Sequence, residues 1–131
     1  MKVSLVTVTF NSDQTLRDTI QSVLNQTYSD IEYIIIDGLS KDNTVDIIRK
    51  CEPQFQGRLK WISERDNGLY DAMNKGIRMS TGEIVGIINS DDFYHRRDII
   101  SRVVEAFRNE KTQTVYGDVR FVNPDNLDKT V

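Results

Sequence analysis

Two adjacent carboxylates, Asp91 and Asp92, follow Asn89-Ser90 at the end of an apolar run, in the stretch GIINSDDFY. One carboxylate is enough to cap a helix, whereas two side by side repel unless positive charge sits between or beside them. A hard divalent cation meets that need. Mg2+ or Mn2+ prefers oxygen ligands and takes one or two carboxylates, leaving other positions to water and phosphate oxygens. A diphosphate would complete the shell, and without the cation the acidic pair would repel it. A solvated turn exposing both aspartates is the competing reading.

Other polar residues stand at comparable places. Thr9-Phe10-Asn11 ends a valine- and threonine-rich run over residues 3–10, Asp37-Gly38 ends the apolar run Ile31 to Ile36, and Glu64 and Asp66 follow an alternating stretch from Arg58 to Ser63. Taken singly, Asp37 or Asp42 reads as a helix cap, since Asp, Asn and Ser are the residues that start the next helix.

The elements between them decide whether these residues meet. Residues 3–10 read as a strand and Ile31 to Ile36 as a strand covered on both faces. Residues 58–63 read as an edge-like strand, and Glu83 to Ile88 as another buried one. Leu16, Ile20, Val23 and Leu24 share one helical face, with Asn11 and Gln14 spaced as a capping box. Val45, Ile47, Ile48 and Cys51 mark a second helix, capped from Ser40, Asp42 or Asn43 and ended by Pro53. Leu69, Ala72, Met73, Gly76 and Ile77 mark a third, and Ile100, Val103, Val104 and Phe107 a fourth. Thr114 to Val122 returns to strand composition, and residues 123–131 hold no evident element. The order β-α-β-α-β-α-β-α-β predicts an α/β domain with a mostly parallel sheet, flanked by helices and joined by right-handed crossovers. In such a sheet ligands bind at the carboxyl ends of the strands, where the polar residues above fall.

Composition narrows the function classes. A chain of 131 residues fits one domain. Seventeen basic and twenty acidic residues, net charge -3, give no broad electrostatic footprint for nucleic acid. One cysteine, Cys51, excludes an internal disulfide and fits a reducing cytoplasm, and no signal peptide or membrane span is visible. The glycine spacing matches neither a P-loop nor GxGxxG. The lone histidine, His95, rules out a multi-histidine zinc site and reads as a loop residue near Asp92. Lys75 and the pair Arg96-Arg97 read as solvated charges, with phosphate contact the alternative.

The succession VSLVTVTFN, QTYSDIEYIIIDGLSKDNT and ERDNGLYDAMNKGIRMSTGEIVGIINSDDFY resembles the nucleotide-binding half of the family-two glycosyltransferases, which have the Rossmann-like GT-A fold, over residues 3–118. The resemblance implies inverting transfer of a sugar from a nucleotide diphosphate donor, a UDP-sugar first, to an acceptor hydroxyl, with Mn2+ or Mg2+ as cofactor. It places Thr9, Asp37 and Asp66 on the nucleoside side, the aspartate at 37 on the base. It sets Asn89-Ser90-Asp91 where the family's DxD motif stands. Asn89 departs from that motif; it can still hydrogen-bond ribose, and metal ligation rests on Asp91 and Asp92, which of the two being open.

The resemblance further implies a role in bacterial polysaccharide or surface-glycan synthesis, with a sugar or lipid-linked glycan as acceptor. The setting it implies is cytoplasmic, with the full-length protein at the inner face of the membrane. The family's general base lies in the acceptor half, expected beyond Val131, so residues 1–131 are expected to be a single nucleotide-sugar-binding domain cut before that half. Asp118 is the nearest remaining carboxylate and is not assigned as the base. Two readings compete with transfer: donor binding without turnover, and a receiver-like signalling domain built on Asp37 and Lys75.

Overall fold

The computed structural model describes residues 1–110, 122–123 and 126–130. Four strands, β1 (Val3–Thr9), β2 (Ile31–Asp37), β3 (Leu59–Ser63) and β4 (Ile84–Ile87), form an all-parallel sheet in the order β3-β2-β1-β4. The helices are α1 (Leu16–Leu24), α2 (Thr44–Cys51), α3 (Leu69–Met79) and α4 (Ile99–Glu110), with a 3-10 turn at Glu52–Phe55 where Pro53 interrupts the α2 pattern. A separate antiparallel pair joins β5 (Val122–Asn123) to β6 (Asn126–Thr130). The expected strand over 114–122 lies outside the described residues except for Val122. The expectation that 123–131 hold no element is corrected by β6, whose backbone pairs with β5 although the sequence NLDKT shows no apolar period.

The sheet is covered on both sides. Side chains of Val3, Leu5, Tyr33 and Ile35 pack with Leu16, Ile20 and Val23 of α1, Ile47, Ile48 and Cys51 of α2, and Ile100 and Val104 of α4. The other face carries Val6, Ile34 and Ile36 under Ala72 of α3. Crossing that layer takes a close approach: a Cβ on Gly76 would lie 2.3 Å from Val6 Cγ1.

Two sequence expectations need correction. The Glu83–Ile88 run is half open, with Val85 42% and Ile87 44% exposed, because β4 is an edge strand of the four-stranded sheet and α3 lies over β1 and β2 instead. The Asn11–Gln14 capping box does not form: the Ser12 carbonyl accepts Thr15 N (3.2 Å) and Leu16 N (2.9 Å), while Asn11 adopts a left-handed φ of 49° and its Oδ1 accepts Lys41 N. Asparagine tolerates that backbone better than most residues.

Candidate nucleotide-sugar site

Strand order reverses between β1 and β4: the crossovers through α1 and α2 run to one side of β1, and the one through α3 returns to the other. A crevice opens at the carboxyl ends of two such strands because their following loops diverge. Here those loops are residues 10–15 after β1 and 89–98 after β4, and they touch where Ser12 Oγ and Ser90 Oγ share a hydrogen bond of 3.0 Å. A cavity of about 610 Å3 lies there, lined by Asn11, Ser12, Asp13, Asp42, Ser90 and Asp91 among others.

The end of β4 is fixed by Thr7, whose Oγ1 donates to the Ile88 carbonyl (2.8 Å) and pairs with Tyr33 OH (2.8 Å). From there the chain turns: Asp92 N donates to the Asn89 carbonyl (3.1 Å) and Asn89 Nδ2 to Asp92 Oδ2 (3.3 Å). Asn89, Asp91 and Asp92 all have exposed side chains. Among the described residues no three His, Cys, Asp or Glu side chains form a metal cage. The donor set present, two exposed carboxylates on one turn, suits a hard cation that fills its remaining positions with water and phosphate oxygens.

Thr9 and Asp37 occupy paired positions at the ends of β1 and β2 and are buried, 1% and 0% exposed. Asp37 Oδ1 accepts Thr9 Oγ1 (2.7 Å) and Ser40 Oγ (2.5 Å), and Oδ2 accepts Ser40 N (2.9 Å) and Ser63 Oγ (2.7 Å). Ser40 Oγ in turn accepts Asn11 N (2.7 Å). A carboxylate with four donors is well satisfied, and this one ties three strand ends and two loops together without presenting a free oxygen to the cleft. Leu39, in one of those loops, has φ 59° and is half exposed.

Asp66, which the resemblance places on the nucleoside side, is partly exposed past the end of β3. Its Oδ1 accepts Gly68 N (3.1 Å), and its Oδ2 lies 2.8 Å from where a Gly38 Cβ would be, with Phe10 Cδ1 3.6 Å from the same point. Any side chain at 38 would collide with Asp66. Phe10, 64% exposed, stands beside this corner and was not among the site residues expected from sequence; its signal is a large aromatic placed just past a strand end. Asp66 is held from α3: Lys75 Nζ reaches Glu64 Oε1 (3.1 Å) and the Arg65 carbonyl (3.1 Å), and Asp71 Oδ2 accepts Asn67 N (2.9 Å). The hydrogen bond to Glu64 raises the Lys75 pKa, and the backbone bond from Asn67 lowers that of Asp71. The solvated reading of Lys75 is thus corrected: its side chain is only 17% exposed and its ammonium is paired with Glu64.

On the α2 side, Asp42 Oδ1 accepts Thr44 N (2.9 Å) and Oγ1 (2.5 Å), and Oδ2 accepts Asp13 N (3.2 Å). Desolvation pushes the Asp42 carboxyl up, and these bonds more than reverse it, leaving the pKa below its ordinary value. Asp42, one residue before the Asn43 N-cap, thus holds the first residue of α2 and the Asp13 loop together. His95 lines a smaller hollow of about 220 Å3 with Asp18, Gln21 and Asn25 of α1. Arg96 pairs with Asp98 at 3.0 Å, and Arg97 Nε donates to the Asn25 carbonyl. Asp118 lies outside the described residues.

The family model for glycosyl transferase family 2 matches residues 4–131. An uncharacterized glycosyltransferase of Mycobacterium tuberculosis is 41% identical over 105 residues, 79% of this chain and 39% of the relative. One of Nostoc sp. is 34% identical over 131 residues, 100% of this chain and 40% of the relative. A PGL/p-HBAD biosynthesis glycosyltransferase of Mycobacterium tuberculosis is 34% identical over 117 residues, 88% of this chain and 46% of the relative. The chain thus spans less than half the length of these relatives. Among solved structures, S. aureus TarS 1-349 in complex with UDP-GlcNAc superposes with a TM-score of 0.78 at 22% identity, over 85% of this chain and 32% of that one. The mannosyltransferase PcManGT from Pyrobaculum calidifontis, in complex with GDP-Man and Mn2+, gives 0.76 at 24% identity, over 82% and 32%. Both likenesses identify the fold as the Rossmann-like part of GT-A.

Proposed function

The chain belongs to glycosyl transferase family 2, and from that membership we propose that it forms the donor-binding domain of a metal-dependent, inverting glycosyltransferase. The observation that carries the reading is that Asp91, on an exposed turn after β4, lines a cleft with Asp13 and Asp42 at the strand-order reversal, while Phe10, Gly38 and Asp66 form a corner past the ends of the neighbouring strands β1, β2 and β3. Asp91 and Asp92 would hold Mn2+ or Mg2+, which would supply positive charge to the donor diphosphate, and Asn89 would hydrogen-bond the ribose. The base lies against the Phe10 ring with an N–H donated to Asp66 Oδ2, which suits a uracil or guanine. Thr9 and Asp37 serve the nucleoside by fixing the loops that carry Phe10 and Gly38.

When bound, the cation stabilises the charge that develops on the departing diphosphate. The acceptor hydroxyl attacks the anomeric carbon from the opposite face, and a carboxylate base takes its proton. The residues described here are assigned to the donor, not to that base. UDP-sugar is the first donor to test, and the acceptor class is a sugar or lipid-linked glycan of a bacterial surface polymer, handled at the cytoplasmic face of the membrane. Among the described residues no helix is long and apolar enough to cross a membrane.

Calorimetric titration with UDP, GDP and CDP, each with and without Mn2+, tests the reading. Binding to one of them that strengthens at least tenfold with Mn2+, and falls back in Asp91→Ala or Asp92→Ala, is expected. Absence of any metal enhancement sinks it. A second reading, donor binding without transfer by this chain alone, is favoured by its spanning 39–46% of its relatives; donor hydrolysis or transfer by the same protein would refute it.

A further inference from the structure

The Asp91–Asp92 turn is held from beneath by a helix that carries none of its ligands. Thr15, at the start of α1, donates its hydroxyl to the Ser90 carbonyl (2.9 Å). Thr19, one helical turn on and on the same face, lies 3.0 Å from that carbonyl and 2.5 Å from the carbonyl of Asp92. Thr19 is 0% exposed, and both carbonyls it touches belong to the turn. With the carbonyls of residues 90 and 92 drawn onto α1, Ser90 and Asp91 line the cleft and the Asp92 side chain is exposed on the same turn. Without a cation, the two adjacent carboxylates repel and favour opening of the turn. The hydroxyl tethers oppose that opening.

We propose that Thr15 and Thr19 are positioning residues that preorganise the Asp91–Asp92 turn for its divalent cation, Thr19 carrying the larger share. The proposal rests on the reading of Asp91 and Asp92 as cation ligands. Groups that orient a ligand from behind typically control metal affinity by about 10- to 100-fold, and the entropy of ordering the turn is removed before binding rather than during it. Gln26 supplies the contrast. Its side chain donates to the Arg96 carbonyl (2.7 Å) and accepts Ile100 N (3.0 Å), holding the same loop several residues beyond the turn.

Mn2+ affinity in the presence of saturating UDP, read by electron paramagnetic resonance of free Mn2+, tests it alongside thermal melting. Thr19→Val keeps the volume and removes the hydroxyl; it should weaken Mn2+ binding about tenfold, and Thr19→Ser should restore it to within about threefold. Gln26→Met should lower the melting temperature without that loss. Wild-type affinity in Thr19→Val, an equal loss in Thr19→Ser, or an equal loss in Gln26→Met overturns the proposal. Should Thr19→Val not fold, the exposed Thr15→Val decides: a loss of about twofold to fivefold is expected, and unchanged affinity overturns it. Failure of wild-type protein to bind Mn2+ at all would instead refute the cation-site reading beneath it.

Discussion

Glu32 lies at the opposite end of β2 from Asp37 and is 3% exposed. It accepts Ser4 Oγ (2.6 Å), Lys60 Nζ (2.7 Å), Thr81 N (2.9 Å) and Thr81 Oγ1 (3.1 Å), so one carboxylate ties β1, β3 and the approach to β4. Burial alone would raise its pKa, but the bonds from Lys60, Ser4 and Thr81 outweigh it and bring the value to about 2 from 4.5. A depressed folded-state pKa contributes stability that is fully present above about 4.5 and is lost as pH falls through about 2. The shift corresponds to about 3 kcal/mol, and screening of the half-exposed Lys60 leaves about 2 kcal/mol. Glu32→Gln should therefore destabilise the protein by about 2 kcal/mol at pH 7 in urea melts, with the gap to wild type closing between pH 4.5 and 2. A gap that stays constant across that window would refute the account. Neither buried carboxylate was legible for what it does. The bonds that Asp37 receives from Ser40 and Ser63 were hidden because those serines carry no pattern that aims them back at it, and Glu32 passed unnoticed inside an apolar run.

Helix α3 shows how an element can be legible while its environment is not. Its apolar period predicted residues 69–79 correctly, yet Leu69 and Ile77 are exposed and the helix meets the sheet through Ala72 and Gly76. Small residues let the helix backbone come down onto Val6 and Ile36, and Val6, β-branched and buried, has little room to turn away. Gly76→Ala gains helix propensity of about 1 kcal/mol, but a contact as close as 2.3 Å overpacks at the upper end of a cost of about 1–3 kcal/mol, for a net loss of about 1–2 kcal/mol. Denaturant unfolding should show the variant less stable than wild type; an unchanged or higher midpoint would mean that α3 shifts freely on the sheet. The same physics explains which strands were read well. Ile31 to Ile36 is apolar but for Glu32 and is buried on both faces in the second position of the sheet. Residues 84–88 look alike in sequence, and only strand order, which depends on pairing with β1 rather than on local composition, makes β4 an edge.

At the scale of the whole molecule, the order β3-β2-β1-β4 sets a gradient of stability as well as a place for the cleft. Amides of β1 and β2 are paired on both sides and buried against helices on both faces, whereas those of β3 and β4 have one neighbour each among the described residues. Native-state hydrogen exchange should find the slowest amides in β1 and β2 and earlier exchange in β4, since local opening starts where contacts are fewest. Slower exchange in β4 than in β1 would contradict this ordering. The position of β1 has a further consequence for how the chain is made. Its β2 partners begin at Ile31, but Ile84, which pairs with Val3, lies 81 residues along. At about 5–20 residues per second, a ribosome takes several seconds to cross that interval. Through that time an inner strand of the four-stranded sheet has one edge open, a template for wrong pairing, so the newborn chain is most vulnerable to aggregation while this strand waits for a neighbour still to be translated.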